Sequence, residues 1–180
     1  MDIKSSGKYA FLGGTSSGKS ALAEQLVAAS GPDICYLATA PATWSNGDPE
    51  FASRVARHKE RRGDRWRLIE LLEPDALYDL ILNAEMPTVI DSVGAWLAFD
   101  DRFEPDLDRL ESAISRSKVP LSFVAEESSL GVLPMNTVAR DFVDRLGAVN
   151  QRIVKSVDRS FLVVAGGLLE VSQAKWQEAR

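Results

Sequence analysis

Cysteine is nearly absent: Cys35 is the only one in 180 residues, so the chain can form neither an internal disulfide nor a cysteine-built metal site. That usage fits a reducing compartment, and a cytoplasmic location is the expectation. Long apolar runs are missing too. No stretch approaches the ~20 residues that a membrane span requires. The first residues, Met1 to Gly7, lack the apolar core of a signal peptide. Positive charge is in deficit, with 21 basic against 26 acidic residues and a formal net charge of −5. That balance argues against a general affinity for nucleic acid or anionic membranes, although a local basic patch stays open. There is no internal repeat and no low-complexity segment.

What remains is an ordinary globular composition. Hydrophobic residues make up 45% of the chain and charged residues 26%, which excludes disorder and fibrous folds. The length suits one domain with a full core, spanning residues 1–180, with a polar tail from about 172 that is expected to fray.

Short β-branched and aromatic runs alternate with stretches of helical period. Strands are expected at 8–12, 34–39, 66–71, 88–91, 121–125 and 161–165. Helices are expected at 20–29, 50–62, 74–83, 105–117 and 136–156, with an exposed loop over 41–49. Leu22, Leu26 and Ala29 form the expected inner face of the first helix. Leu110, Ile114, Val143, Leu146 and Ile153 are expected core, and Cys35 is an expected buried packing residue. Trp44, in the loop, reads equally as a lid or a subunit contact. The alternation specifies an α/β protein, a three-layer fold on a mainly parallel sheet.

Gly13-Gly14-Thr15-Ser16-Ser17-Gly18-Lys19-Ser20 matches the full G-x-x-x-x-G-K-[ST] pattern between a strand and a helix. A chance match in a chain of this length has a probability of about 0.6%. The glycines let backbone N–H groups curl around phosphates at a positive helix end. Lys19 is expected to reach the β and γ phosphates, and the Ser20 hydroxyl to ligate Mg²⁺. Asp91, at the end of a strand, is the expected acidic partner for that ion.

From Arg54 to Arg67 lie seven basic residues, a third of the positive charge, around the only histidine, His58. On a helix Phe51, Val55, His58 and Arg62 share a face. His58 is then either a packed histidine or a nucleophile presented to a phosphate-bearing substrate. Nearby cations favour its neutral, attacking form.

These segments resemble the adenosylcobinamide kinase / adenosylcobinamide-phosphate guanylyltransferase family, nearly end to end. The likeness rests on the phosphate loop, Tyr36-Leu37-Ala38-Thr39-Ala40, and the run from Glu50 and Phe51 through Arg54, Val55, His58 and Lys59 to Arg62. It continues in Trp66, Glu70, Val89-Ile90-Asp91, Trp96-Leu97, Gly131 to Pro134 with Asn136, Arg140, Asp144, Gly147 and Asn150-Gln151. The resemblance implies a RecA-like P-loop NTPase sheet and two reactions in cobalamin biosynthesis. Adenosylcobinamide, a corrinoid, is phosphorylated by ATP or GTP, and GMP is then transferred from GTP to the new phosphate through a guanylyl-histidine at His58. It implies nucleotide contacts at the phosphate loop (Gly13 to Ser20), Ala38, Thr39, Ala40, Glu60, Arg61, Arg62, Gly63, Glu70 and Asp91. Mg²⁺ at Ser20 and Asp91 and a homo-oligomer, expected to be a trimer, belong to the same picture.

Three segments depart from the family pattern. Glu126-Glu127-Ser128-Ser129 stands where Asn-Glu-Val-Gly is usual, and Ser92-Val93-Gly94 where Cys-Leu-Thr is usual. Ala98-Phe99-Asp100-Asp101 lacks the usual asparagine and leucines. Glu126 and Glu127 either orient a metal water or the substrate hydroxyl, or end a strand in solvent. Arg140 and Asp144 read equally as a helix-surface pair or a phosphate contact. Two other readings compete with the bifunctional one: a small-molecule P-loop kinase without guanylyl transfer, and a GTP-binding regulatory module without catalysis.

Overall fold

A strand that is apolar on both faces needs cover on both faces, and β1 (Lys8–Gly13) meets that need inside the sheet, with a strand on either side. The computed structural model describes residues 4–41, 43–62, 65–100, 102–132 and 134–172, without the side chains of 45, 46, 51, 54, 57–59, 61 and 62. After β1 come α1 (Lys19–Ala28), β2 (Ile34–Ala38), α2 (Trp44–Gly47), α3 (Pro49–Arg62), β3 (Trp66–Glu70) and α4 (Ala76–Leu82). They are followed by β4 (Thr88–Asp91), α5 (Val93–Leu97), α6 (Leu107–Arg116), β5 (Leu121–Glu126), α7 (Thr137–Ser156), β6 (Arg159–Val164) and β7 (Gly167–Val171). The seven strands form one sheet in the order β3-β2-β4-β5-β1-β6-β7. All neighbours are parallel except β6 and β7, which form an antiparallel hairpin.

Side-chain alternation splits the core in two. Tyr9, Phe11, Val89, Val124, Phe161 and Val163 cluster with Ala23 and Val27 of α1. Phe161 stacks against Phe11 and Tyr9, with ring centroids at 5.6 and 6.4 Å. On the other face Ala10, Leu12, Ile90, Phe123 and Ala125 pack with α4, α5, α6 and α7 through Leu77, Trp96, Leu110 and Val149. Side-chain caps open two of the longer helices. Asp106 accepts from Arg109 N at 2.9 Å to open α6, and Asn136 from Ala139 N at 2.6 Å to open α7.

Several expectations need correcting. The loop over 41–49 contains the short helix α2, and Trp44, its first residue, is 36% exposed. The last strand is β7, not the run ending near 165. Helix α5 stands where no element was expected. The buried stripe of α1 runs through Ala23 and Val27, with Leu22 and Leu26 at its margin and Ala29 exposed, one residue away from the expected face. Leu110, Ile114, Leu146 and Ile153 are core as expected, whereas Val143 is only half-buried. Cys35 is buried in β2. The tail from 173 onwards lies outside the described residues.

Candidate nucleotide site

The site lies where three strand ends converge. Strand β5 runs between β4 and β1, so Asp91, Glu126 and Gly13 close three adjacent strands. In the ladders Gly13 stands opposite Glu126 and Asp91 opposite Val124. This is the crevice beyond the carboxyl ends of parallel strands where ligands of open α/β sheets bind.

The loop's shape follows from its residues. Gly13 has no room for a side chain, since a Cβ there would lie 2.6 Å from the Val163 carbonyl oxygen and 2.8 Å from Ser17 Oγ. Ser17 N donates to Gly14 O at 3.3 Å, and Gly166 N from the β6–β7 turn donates to Ser17 O at 2.9 Å. Gly18 precedes α1 with φ of 98°, a left-handed conformation in which glycine carries no side-chain penalty. Lys19 opens α1 only 8% exposed, and its ammonium donates to Gly14 O at 3.1 Å. The first turn of α1 holds no acidic residue that would neutralise its positive end. Ser17 Oγ is buried and has no hydrogen-bond partner among the described residues. A phosphate chain would supply acceptors for such a loop.

Asp91 is half-buried, and its Oδ2 accepts the Tyr36 hydroxyl at 2.8 Å. Ser20, half-buried in the first turn of α1, is the hydroxyl of the expected pair. The pair offers oxygen donors only, which suits Mg²⁺. No group of three His, Cys, Asp or Glu side chains gathers among the described residues.

Thr39 is fully buried and occupied: its hydroxyl donates to Ser92 O at 2.6 Å, and its N–H to Asp91 O at 3.1 Å. It stitches the end of β2 to that of β4, leaving Ala38 and Ala40 half-buried beside it. Glu70, at the tip of β3, and Glu60, on α3, are exposed. His58, Arg61 and Arg62 belong to α3, but their side chains, and Gly63 entirely, lie outside the described residues. One member of the basic run is structural, because the Arg65 guanidinium donates to Ala28 O at 2.9 Å and to Gly31 O beyond α1. Arg140 is spent in the same way on Pro134 O and Met135 O, at 3.1 and 2.8 Å, and forms no pair with Asp144.

Glu126 does not end its strand in solvent. It is half-buried, and its Oε2 accepts Gly94 N–H at 2.8 Å. A Cβ on Gly94 would collide with that oxygen and lie 2.9 Å from Glu126 Cδ. Asn150 Nδ2 donates to Glu126 O at 2.9 Å, and Glu127 N to Gly13 O at 3.1 Å. Glu127 turns its carboxylate onto its own loop, accepting from Ser129 N at 2.8 Å and from the Ser129 hydroxyl. Two of the departures from the family pattern, Gly94 and Glu126, are therefore in contact. Side-chain pattern gave no hint of this, because 32 residues separate them.

Comparison with known proteins gives the family. A family model described as cobinamide kinase / cobinamide phosphate guanyltransferase matches residues 9–171. The bifunctional adenosylcobalamin biosynthesis protein CobP of Pseudomonas aeruginosa is 35% identical over 164 residues, covering 86% of this chain and 91% of its own. CobU of Salmonella typhimurium, with the same description, is 29% identical over 174 residues, covering 86% and 93%. Among solved structures, the flagellar accessory protein FlaH of Methanocaldococcus jannaschii superposes with a TM-score of 0.53 at 17% identity, covering 92% of this chain and 75% of its own. That likeness concerns the fold alone, a three-layer α/β architecture on a mainly parallel sheet. On the match over residues 9–171, the chain belongs to the cobinamide kinase / cobinamide phosphate guanyltransferase family.

Proposed function

We propose that this chain phosphorylates adenosylcobinamide with ATP or GTP and then transfers GMP from GTP to the resulting phosphate, in cobalamin biosynthesis. The observation that carries the reading is that Gly13, where the loop bearing Lys19 begins, and Asp91 lie among three adjoining strand ends, in a chain of this family. In the kinase half the substrate hydroxyl attacks the γ-phosphorus, the bond to the β,γ-bridging oxygen breaks, and a nucleoside diphosphate leaves. Loop N–H groups and Lys19 hold the phosphates and neutralise charge that spreads in the transition state. Ser20 and Asp91 would hold Mg²⁺, which when bound draws further charge off the transferring group. Tyr36, donating to Asp91, keeps that carboxylate oriented.

In the transferase half an imidazole nitrogen of His58 attacks the α-phosphorus of GTP and pyrophosphate leaves. The cobinamide phosphate then displaces the imidazole, giving the GDP-cobinamide product. Ala38, Thr39, Ala40, Glu60, Arg61, Arg62, Gly63 and Glu70 are the proposed remaining nucleotide contacts, Thr39 through its backbone or by holding Ser92. The assembly is proposed to be a cytoplasmic homo-oligomer, a trimer. No helix among the described residues is long and apolar enough to cross a membrane.

The test is incubation with Mg²⁺ and α-labelled GTP, then denaturing separation, for the wild type and His58→Ala. A label at the protein's mass that vanishes in the variant is the expected result. No label on a protein that still binds GTP would refute guanylyl transfer through His58. Phosphorylation of adenosylcobinamide would then separate a simple kinase from a binding module.

A further inference from the structure

Glu126 is a carboxylate held from three sides with one oxygen to spare. Its backbone is in the β1 ladder opposite Gly13 and is tied to α7 through Asn150 Nδ2, while Gly94 N–H fixes Oε2. Among the described residues Oε1 has no donor, and no lysine or arginine lies within ion-pair distance of either oxygen. Neighbouring strands run ~4.8 Å apart, so the Glu126 backbone lies about that far from Gly13, where the phosphate loop begins. Its strand separates the loop from the strand carrying Asp91. The two carboxylates nearest it along these strand ends, Asp91 and Glu127, are employed, Asp91 with Tyr36 and Glu127 with Ser129. An uncompensated carboxylate beside a phosphate site repels the nucleotide, a cost that a role in the reaction would offset.

We infer that Glu126 is a further catalytic residue of the kinase half: its free Oε1 accepts the hydroxyl hydrogen of the alcohol substrate, aiming the oxygen at the γ-phosphorus, and Gly94 is the positioning residue that makes room for it. As the new P–O bond forms and the bond to the leaving diphosphate breaks, the hydroxyl proton passes to Oε1. Pinning the acceptor in this way is positioning catalysis, which matters more than basicity in phosphoryl transfer. The Gly94 hydrogen bond fixes which oxygen is free. The inference rests on the kinase activity proposed above.

The decisive variant is Glu126→Gln. Its amide oxygen can keep the Gly94 N–H bond, which turns the NH₂ group, a donor, to where Oε1 was. The fold is retained, and the acceptor is lost. The expected result is a fall in kcat for adenosylcobinamide phosphorylation of about 10²-fold. GTP should bind as tightly or more tightly, and labelling of the protein by α-labelled GTP should be unchanged. Gly94→Ala, which puts a methyl group against Oε2, should lower the same kcat while leaving the labelling intact. Wild-type turnover is measured first. A wild type without turnover would sink the kinase reading and this inference with it. An active wild type and an equally active Glu126→Gln would overturn this inference alone, as would a Glu126→Gln defect shared by labelling and GTP binding.

Discussion

Replacing Gly13 by alanine isolates one physical quantity, the space between the phosphate loop and the neighbouring strand. The added carbon would lie 2.6 Å from the Val163 carbonyl oxygen and 2.8 Å from Ser17 Oγ. Ordinary van der Waals separation is about 3.5 Å, so the overlap is about 0.7–0.9 Å on two sides. The Ser17 side chain could turn away, but the Val163 carbonyl belongs to the β1–β6 ladder, in which Gly13 and Val163 are partners. Overpacking of this kind costs about 1–3 kcal/mol. At about 2–4 °C per kcal/mol for a domain of this size, Gly13→Ala should lower Tm of the nucleotide-free protein by about 2–12 °C. Gly14→Ala is the internal control. Nothing lies within 4 Å of its Cβ position, and the expected change is within about 0.5 kcal/mol. Differential scanning calorimetry of the two variants reads both numbers. Equal stability of Gly13→Ala and wild type, or equal damage from the two substitutions, would refute the packing account of the loop.

Cys35 is 3% exposed, and burial pushes its thiol above the usual range. A disulfide reagent at pH 8 should therefore leave the native protein unmodified and titrate one thiol in denaturant, and modification at the rate of a free thiol would refute this. Hydrogen bonds from the Arg159 guanidinium, at 2.7 and 2.8 Å, hold the Glu170 carboxyl below its usual range. A folded-state value below the unfolded one adds stability above pH ~4.3 that is lost as pH falls through the lowered value. Glu170→Gln should then lower the urea midpoint at pH 7 and not at pH 2, and an equal gap at both would refute the assignment.

The phosphate loop was legible because its chemistry is local. Eight consecutive residues carry both the turn and the charge, and the flanking strand and helix announce themselves by composition. The inner strands β1, β2, β4 and β5 were legible for a related reason, since burial on both faces leaves them largely apolar. β7 escaped because it is an edge strand of Gly167, Leu168, Leu169, Glu170 and Val171, mostly exposed and paired on one side only. α5 escaped because Val93-Gly94-Ala95-Trp96-Leu97 is too short for a helical period, and its start depends on Ser92 accepting from Ala95 N. The one-residue shift in α1 reflects Lys19 and Glu24, buried charges that periodicity places outside. Thr39 was named through the family resemblance, but its hydroxyl's use on Ser92 follows from a strand order that no local pattern encodes. The Glu126–Gly94 contact belongs to the same class: both residues were visible as departures, and only tertiary structure joins them.

The bond from Gly166 N–H to Ser17 O spans 149 residues of sequence. It has a consequence for synthesis. The glycine-rich loop leaves the ribosome well before the strand that flanks it on one side and the turn that braces it. Strand β1 can pair with β5 during translation, but its other edge stays open until β6 emerges. A nascent chain arrested before residue 166 would carry the whole glycine-rich motif without its brace. Nucleotide binding by ribosome-bound chains of increasing length would thus report the closing of the sheet, since the first residues of the site have to wait for some of the last.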